Sequence, residues 1–494
     1  MAGLDAAHTP VIASVGQSIE RQEIVTPVDL AERAARVILD DVPRLGAHID
    51  RLTMVSVSFS PVAAAPSTQI AARLGLGGAQ CEVTTPGGHT PQWAVTRAAA
   101  EIANGQLDAT LIVGAEATRS MRASRPGADF LDPSSSPNED SETSDTQVGL
   151  GLGDMLSRSE RAAGLMRPAE IYPIIESALA HAAGRSPAEQ RQHVGDILAR
   201  FTRVAAENPY AWFREKLEAA QIATPSADNR LTAEPYTKRM NSFPNVDVGS
   251  ALLVCSLEVA RAAGAGDTSV FVWGGATNTD GPPSERSDLG ASAAIRAASQ
   301  AIFAAARMGI DDVGLFDLYS AFPSAFQVAA AALGIATDDS RGLTVTGGMP
   351  FFGGPGNNYS SHAIASLVEK LRLAGGLGLI AANGGYLSKH SLGLYGTSPP
   401  PHGFHAADTA AAQARIEDAA PVSSLEATGE ARVEGGTVVY ARDGSVASAP
   451  VIARLDDGRR IVAQAESSLL AELAGQSLVG RRILVAGSPI LYRL

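Results

Sequence analysis

Three glycine-bearing turns bring together residues whose types could do chemistry: Thr84-Thr85-Pro86-Gly87-Gly88-His89, Gly353-Gly354-Pro355-Gly356-Asn357-Asn358 and Asn383-Gly384-Gly385-Tyr386. A fourth turn, Tyr319-Ser320-Ala321-Phe322, has no glycine but offers two hydroxyls. Glycine lets a backbone approach a ligand closely and lets neighbouring N–H groups converge, as an oxyanion hole or a phosphate cradle requires. Groups fit for acid–base work flank these turns: His89, Tyr319, Ser320, Asn383 and the pair Lys389-His390. A histidine near neutral pKa beside a lysine can move a proton or bind a carbonyl. The alternative reading of His89 and His390 is that they fill space, hydrogen-bonded to backbone. Neither cysteine supplies a nucleophile. Cys81 lies six residues before Gly87 on the same expected strand, roughly 20 Å away if that strand is extended. Cys255 lies inside the apolar run Ala251-Leu-Leu-Val-Cys-Ser and reads as core. His362, on the helix expected after Tyr359, reads as structural.

The elements that must position these turns follow an α/β rhythm. Expected strands at Val11 to Val15, Met54 to Phe59 and Ala109 to Gly114 alternate with helices at Asp29 to Leu39 and at 98–103, the latter stopped by Asn104-Gly105. The rhythm breaks between about Thr118 and Met240. Here lie Ser134 to Ser136 and the acidic run Glu139 to Asp145, read as a solvated loop, and helical patterns at Tyr172 to Ala183 and Glu189 to Glu207. This region reads as a helical insertion over one face of the sheet, with a lid over a ligand as the sharper variant. Strands return at Ala251 to Leu257, Ser269 to Gly274, Gly314 to Leu318 and Gly378 to Ala381, with helices at Ala291 to Ala306 and Ala325 to Leu333. The second half thus echoes the first, which implies a duplicated unit with a site between its halves. Pro399-Pro400-Pro401-His402-Gly403 reads as a stiff linker. Beyond it, short strands near Gly435 to Ala441, Val451 to Leu455, Arg460 to Gln464 and Arg482 to Ala486 read as a separate β module.

Composition narrows the function classes. The net charge of −13 argues against the basic footprint of a nucleic-acid binder, although local cations still suit a small anion. No apolar stretch approaches the roughly 18 residues of a membrane span, and no targeting signal is read at either terminus. Two cysteines in 494 residues support neither a disulfide framework nor a four-cysteine zinc site, and no metal site is expected. The expectation is a cytoplasmic protein that binds neither membrane nor nucleic acid.

The order of the turns, together with Thr9-Pro10-Val11-Ile12-Ala13-Ser14-Val15-Gly16, the segment Asp108 to Ala117, Glu207-Asn208-Pro209-Tyr210-Ala211-Trp212-Phe213 and Gly347-Gly348 leading into Gly353-Gly354-Pro355, resembles the thiolase superfamily over about residues 8 to 400. The pattern resembles the sterol-carrier-protein-type thiolases especially. The resemblance implies a duplicated thiolase fold: two βαβαβαββ halves in five α-β-α-β-α layers, a helical loop domain at about 118–240, and halves spanning 1–265 and 266–402. The catalytic motifs have departed. Gly87, or one residue on Gly88, stands where the acylated cysteine belongs, and glycine has no side chain to acylate. Tyr319-Ser320-Ala321-Phe322 replaces the Asn-Glu or His-Asp pair before phenylalanine, Gly354 replaces the Gly-His-Pro histidine, and Asn383 replaces the Cys-x-Gly cysteine. This replacement set is similar to the mycobacterial thiolase-like proteins of type 1, which carry an extra C-terminal domain. That implies a small barrel of oligonucleotide/oligosaccharide-binding (OB) type within 403–494.

In function, the resemblance implies an acyl-CoA-handling protein without the usual nucleophile. It is either an acyltransferase of the acetyl-CoA C-acyltransferase class working by another route, a non-catalytic binder of CoA or acyl-CoA, or an interaction scaffold. Turnover would rest on His89, Tyr319, Ser320, Asn383, Lys389 or His390. Binding would rest on the turn residues Gly87, Gly88, Gly354, Asn357, Asn358, Gly384 and Gly385, with Lys238 and Arg239 from the loop domain for the CoA phosphates. Coenzyme A is then ligand or substrate, not a covalent cofactor. The C-terminal module offers a docking surface for a partner protein, and monomer and homodimer both stay open because the added domain could cover the sheet edge through which thiolases pair.

Overall fold

The computed structural model describes residues 4–124, 145–151 and 155–494; Ser134 to Ser136 and all of the acidic run except Asp145 lie outside them. The first half begins with β1 (Pro10–Ile19) and α1 (Pro27–Asp41). Thr26 caps α1 reciprocally with Asp29, Pro27 opens its first turn, and its apolar stripe of Leu30, Ala31, Ala34 and Ile38 is buried. There follow β2 (Arg51–Met54), α2 (Pro66–Leu74), β3 (Gln80–Thr84), α3 (Thr90–Ala103), β4 (Ala109–Ala117) and α4 (Thr118–Ser124). The strand expected at Met54 to Phe59 is displaced: it ends at Met54, and Ser58, Phe59 and Ser60 turn out of the sheet to donate to the buried carboxylate of Glu116.

The inserted region contains β5 (Thr146–Val148), α5 (Arg158–Ala162), α6 (Pro168–Ala182), α7 (Pro187–Glu207), α8 (Ala219–Ala223) and a hairpin of β6 (Leu231–Ala233) and β7 (Tyr236–Thr237). Then β8 (Asp247–Ser256), buried at every residue, leads through α9 (Leu257–Ala262) into β9 (Val270–Thr279) and α10 (Ala293–Ala306). The body continues with β10 (Leu315–Leu318), α11 (Pro323–Leu333), α12 (Tyr359–Ala374), β11 (Leu377–Gly384) and β12 (Lys389–Gly396).

Strand order makes the duplication explicit. One half-sheet runs β2-β4-β8-β1 and the other β10-β11-β12-β9. In each the first pair is parallel and the next two are antiparallel. The two half-sheets are joined where β1 pairs with β9, Val11 with Phe271 and Ile12 with Val270. Helices α3 and α12 pack against each other and touch strands of both halves, while α1 covers one outer face and α10 the other. This gives the five layers, with the N-terminal ends of α3 and α12 in the middle.

The chain does not leave the α/β body at the prolines. After them β13 (His405–Ala406) adds to β9, and α13 (Ala410–Asp418) is fixed there by Gln413, which bonds Thr279 on three atoms. The C-terminal strands are β14 (Ser423–Ser424), β15 (Ala427–Gly436), β16 (Val439–Tyr440), β17 (Val446–Ser448), β18 (Pro450–Leu455), β19 (Arg460–Ala465), β20 (Arg482–Gly487) and β21 (Ile490–Arg493). Five of them close a barrel in the order β15-β18-β19-β21-β20, its last seam being the parallel pairing of β19 with β21. Numbered by chain order that is 1-2-3-5-4, the arrangement of an OB barrel, filled by Val433, Val451, Ile461, Ile483 and Tyr492.

The module is not separate. Ile452 and Val462 on the barrel's outer face share a core with Leu156, Leu165, Ile171, Ile174 and Leu289 of the body. Strands β16 and β17 also extend the β6–β7 hairpin into one four-stranded sheet. Among the described residues no helix is long and apolar enough to cross a membrane.

Candidate functional site

The turn after β3 is positioned by α3. His89 is the residue before its first turn, and Thr90 donates to the Gly87 carbonyl from both backbone and side chain. Gly87 has φ of +147°, which a side chain rarely adopts, and a Cβ there would lie 2.6 Å from the His89 ring. A Cβ on Gly384 would also lie 2.6 Å from His89 Nδ1. The imidazole is therefore wedged between two glycines from opposite halves. A Cβ on Gly88 would lie 2.3 Å from the Tyr319 hydroxyl and 2.5 Å from the Asn383 carbonyl oxygen. The structure thus brings together four predicted places: the Gly87–His89 turn, Tyr319, Asn383 and Gly384.

His89 is 1 % exposed and neither ring nitrogen has a hydrogen-bond partner. Burial, with the positive charges of Lys389 and His390 nearby, pushes its pKa down to about 3. It is neutral at physiological pH, a donor at one nitrogen and an acceptor at the other. A lowered pKa weakens it as a base near neutrality and suits the neutral ring to donate to a carbonyl, as neutral histidines do in other sites.

His390 differs. Its Nε2 is 3.1 Å from the Leu387 carbonyl oxygen and 3.2 Å from Asp280 Oδ2, while Nδ1 is buried without a partner. It makes the backbone contact expected of a space-filling histidine; His89 makes none. Burial alone would raise the Asp280 carboxyl, but His390, Arg286 and Ser292 together hold it below its ordinary value. Lys389 reaches the Gly151 carbonyl at 3.0 Å, and burial lowers its pKa. Asn383 Nδ2 donates to the Tyr172 hydroxyl at 3.2 Å, leaving its Oδ1 buried and unpaired. Tyr172 stacks on Phe322 at 4.6 Å, and burial pushes its phenol up to about 12.

Several predicted residues are already engaged elsewhere in the fold. Asn357 Oδ1 accepts the Gly87 N–H at 2.9 Å while its Nδ2 holds both oxygens of Ser56. The Gly354 N–H is given to the Phe243 carbonyl at 2.8 Å, and a Cβ there would meet the Ser242 hydroxyl at 2.0 Å. Gly87 and Gly354 therefore have no free N–H for an oxyanion: their hydrogen bonds organise the turns instead. Asn358 Oδ1 accepts from Ser250, and Ser320 Oγ accepts the Met349 N–H. Gly385 begins the left-handed stretch Gly385-Tyr386-Leu387 that turns β11 back into β12. Lys238 and Arg239 are exposed on a short 3-10 turn, where Arg239 holds the Gln221 carbonyl. Cys81 and Cys255 are both free, and burial raises both thiols. His362 bonds Gln17 inside the central layer.

Sequence reasoning missed Asp280, Arg286 and Tyr172. Asp280 had a signal, as the polar end of the run Thr277-Asn278-Thr279-Asp280 before a Gly-Pro turn. Tyr172 had none, being one apolar position of a helix. A cleft of about 400 Å³ lies elsewhere, between α6 and the barrel, lined by residues such as His181, Asp288, Arg432 and Gly480; it touches none of the predicted site residues.

Known proteins of similar sequence and structure place this chain in a family. Residues 413–487 match the family model of the thiolase-like protein type 1 additional C-terminal domain. The chain is similar to the crystal structure of a monomeric SCP2-thiolase-like protein type 1 from Mycobacterium smegmatis, at 31% identity over 99% of each chain with a TM-score of 0.83. It is also similar to human mitochondrial 3-ketoacyl-CoA thiolase, at 16% identity over 80% of this chain and 100% of that one, TM-score 0.59. An Ltp2-ChsH2(DUF35) aldolase matches at 19% identity over 79% and 98%, TM-score 0.59. These two likenesses are of fold. No curated protein matches the sequence.

Proposed function

The chain belongs to the SCP2-thiolase-like proteins of type 1, and from that premise we propose that it binds acyl-CoA thioesters at the Gly88–His89 turn and handles them without a covalent acyl-enzyme. One observation carries the reading: His89 is buried between the two halves with both ring nitrogens unpaired. An unsatisfied buried polar group costs about 1–3 kcal/mol, and a thioester carbonyl is an acceptor that relieves the His89 N–H. Structures of similar fold are named for CoA thioesters, 3-ketoacyl-CoA thiolase and acetyl-CoA acetyltransferase among them. Lys238 and Arg239, exposed on the loop domain, supply cations for the phosphates of the cofactor.

The same geometry favours binding over turnover. Gly87 and Gly88 bear no nucleophile, and the space beside them is taken by His89 and the Tyr319 phenol. His89 is held neutral down to acid pH, and the Nε2 of His390 is engaged by Leu387 and Asp280. What remains is a neutral imidazole that can donate to a carbonyl but does not attack it. Calorimetric titration with CoA and acetyl-CoA, with an assay for free thiol in the same sample, tests this. We expect acetyl-CoA binding without thiol release, weakened at least tenfold in His89→Leu. Binding with thiol release would restore the acyltransferase reading, and no binding by the folded wild type would overturn the proposal.

A further inference from the structure

The C-terminal barrel reaches the candidate site through a relay of buried arginines. Arg460 on β19 is 1 % exposed, and its Nε pairs with Glu434 of the same barrel at 2.7 Å. Its Nη1 leaves the barrel, donating to the backbone carbonyls of Ser284 at 3.3 Å and of Arg286. The Arg286 guanidinium in turn donates from Nη2 to the carbonyls of Tyr386 and Leu387, at 2.7 Å each. Those two residues have φ of +55° and +64°, a conformation that non-glycine residues hold only where surroundings impose it. They connect Asn383-Gly384-Gly385 to Lys389-His390, and the Leu387 carbonyl is itself a partner of His390. A second contact runs in parallel: Tyr386 packs against the shared core that contains Ile452 and Val462 of the barrel.

We infer that the barrel is a positioning element of the site, with Arg460 acting through Arg286 to hold the 384–390 turn in its left-handed form. Each buried guanidinium needs the carbonyls it faces, because leaving one unpaired carries the full desolvation cost of the group. Removing Arg460 therefore frees the 284–286 segment, loosens the grip of Arg286, and lets the strained turn relax. The affinity consequence rests on the acyl-CoA reading above; the conformational one does not.

The test is amide hydrogen exchange of the full-length protein, resolved at residues 384–390 and compared with β8, for wild type, Arg460→Met and Arg460→Lys. We expect exchange in 384–390 to rise at least tenfold in Arg460→Met with β8 unchanged. Arg460→Lys, which can still donate to the carbonyls, should recover most of the protection. Acetyl-CoA affinity is measured alongside and should fall with the same ranking. If Arg460→Met does not fold, Ile452→Ala and Val462→Ala loosen the second contact and should raise exchange in the same segment. Unchanged exchange at 384–390 in a folded Arg460→Met, or equal rises throughout the body, overturns the inference. Raised local exchange in a protein that never bound acetyl-CoA supports the relay and overturns only the functional reading.

Discussion

The hydroxyl of Tyr319 lies where the side chain of residue 88 would project: a Cβ built on Gly88 comes within 2.3 Å of it. The two halves of the fold interlock at this point, one supplying a bare backbone and the other a phenol. Re-creating a nucleophile at Gly88 is therefore blocked by shape as well as by chemistry.

Gly88→Cys should destabilise the protein by about 1–3 kcal/mol, the usual cost of overpacking a filled interior. Chemical denaturation measures it. Tyr319→Ala should be costly alone, yet the pair Gly88→Cys/Tyr319→Ala should be less unstable than the sum of the single changes, because the two residues contend for one volume. Additivity would mean that the phenol moves aside freely.

Acid stability should report His89 directly. Its folded pKa is lowered to about 3 from an ordinary 6.5, so below pH 6.5 the unfolded chain takes up a proton that the native site refuses. Stability contributed by the neutral ring is present above pH 6.5 and is lost as pH falls towards 3, by about 1.4 kcal/mol per pH unit at the steepest. His362, lowered to about 3 by burial in the central layer, acts in the same sense. Urea titrations from pH 7 to 4 should show a shallower decline for His89→Leu than for wild type.

Glu116 should do the opposite. Burial raises its carboxyl to about 7 against the hydrogen bonds from Ser58, Phe59 and Ser60. The native state keeps a proton that the unfolded chain gives up above pH 4.5. Its contribution is complete below 4.5 and declines as pH rises to 7. Glu116→Gln should remove that decline, so the variant gains on wild type between pH 5 and 7.5 in paired urea titrations.

Truncation after Asp418 should not yield a free-standing body. It strips the cover from Ile171, Ile174 and Leu289 and leaves the β6–β7 hairpin without β16. We expect the truncated chain to bind a hydrophobic dye strongly and to unfold at lower urea, with a loss of several kcal/mol. A stable, dye-silent truncation would show that the shared core contributes nothing.

Much of this architecture was legible in the sequence, for reasons that mark its limits. Apolar runs such as Ala251 to Leu257 and stop signals such as Asn104-Gly105 are local, and they located β8 and the end of α3. Alternation beyond Gly435 exposed three strands of the barrel. The strand Lys389–Gly396 escaped because its polar start, Lys389-His390-Ser391, is buried by tertiary contacts that no local pattern encodes. Met54 to Phe59 misled because Glu116, distant in sequence, draws the chain out of the sheet. At the site, the glycines of 87, 88 and 384 read as openings for a ligand; the structure shows protein side chains in those openings. The link from Arg460 to Arg286 spans 174 residues and left no trace in composition or spacing.

The small sheet formed by β6, β7, β16 and β17 also sets an order of events in the making of the protein. Thr437 and Glu234, bonded just beyond the ends of β16 and β6, are 203 residues apart. During synthesis the hairpin emerges long before its partner strands, and its edge stays unpaired until nearly the whole chain has left the ribosome. Such distant pairings fold slowly, and an open strand edge invites intermolecular pairing meanwhile. The last sixth of the chain thus acts as a clasp on a fold begun much earlier, and mutations that slow barrel closure should appear first as aggregation of newly made protein.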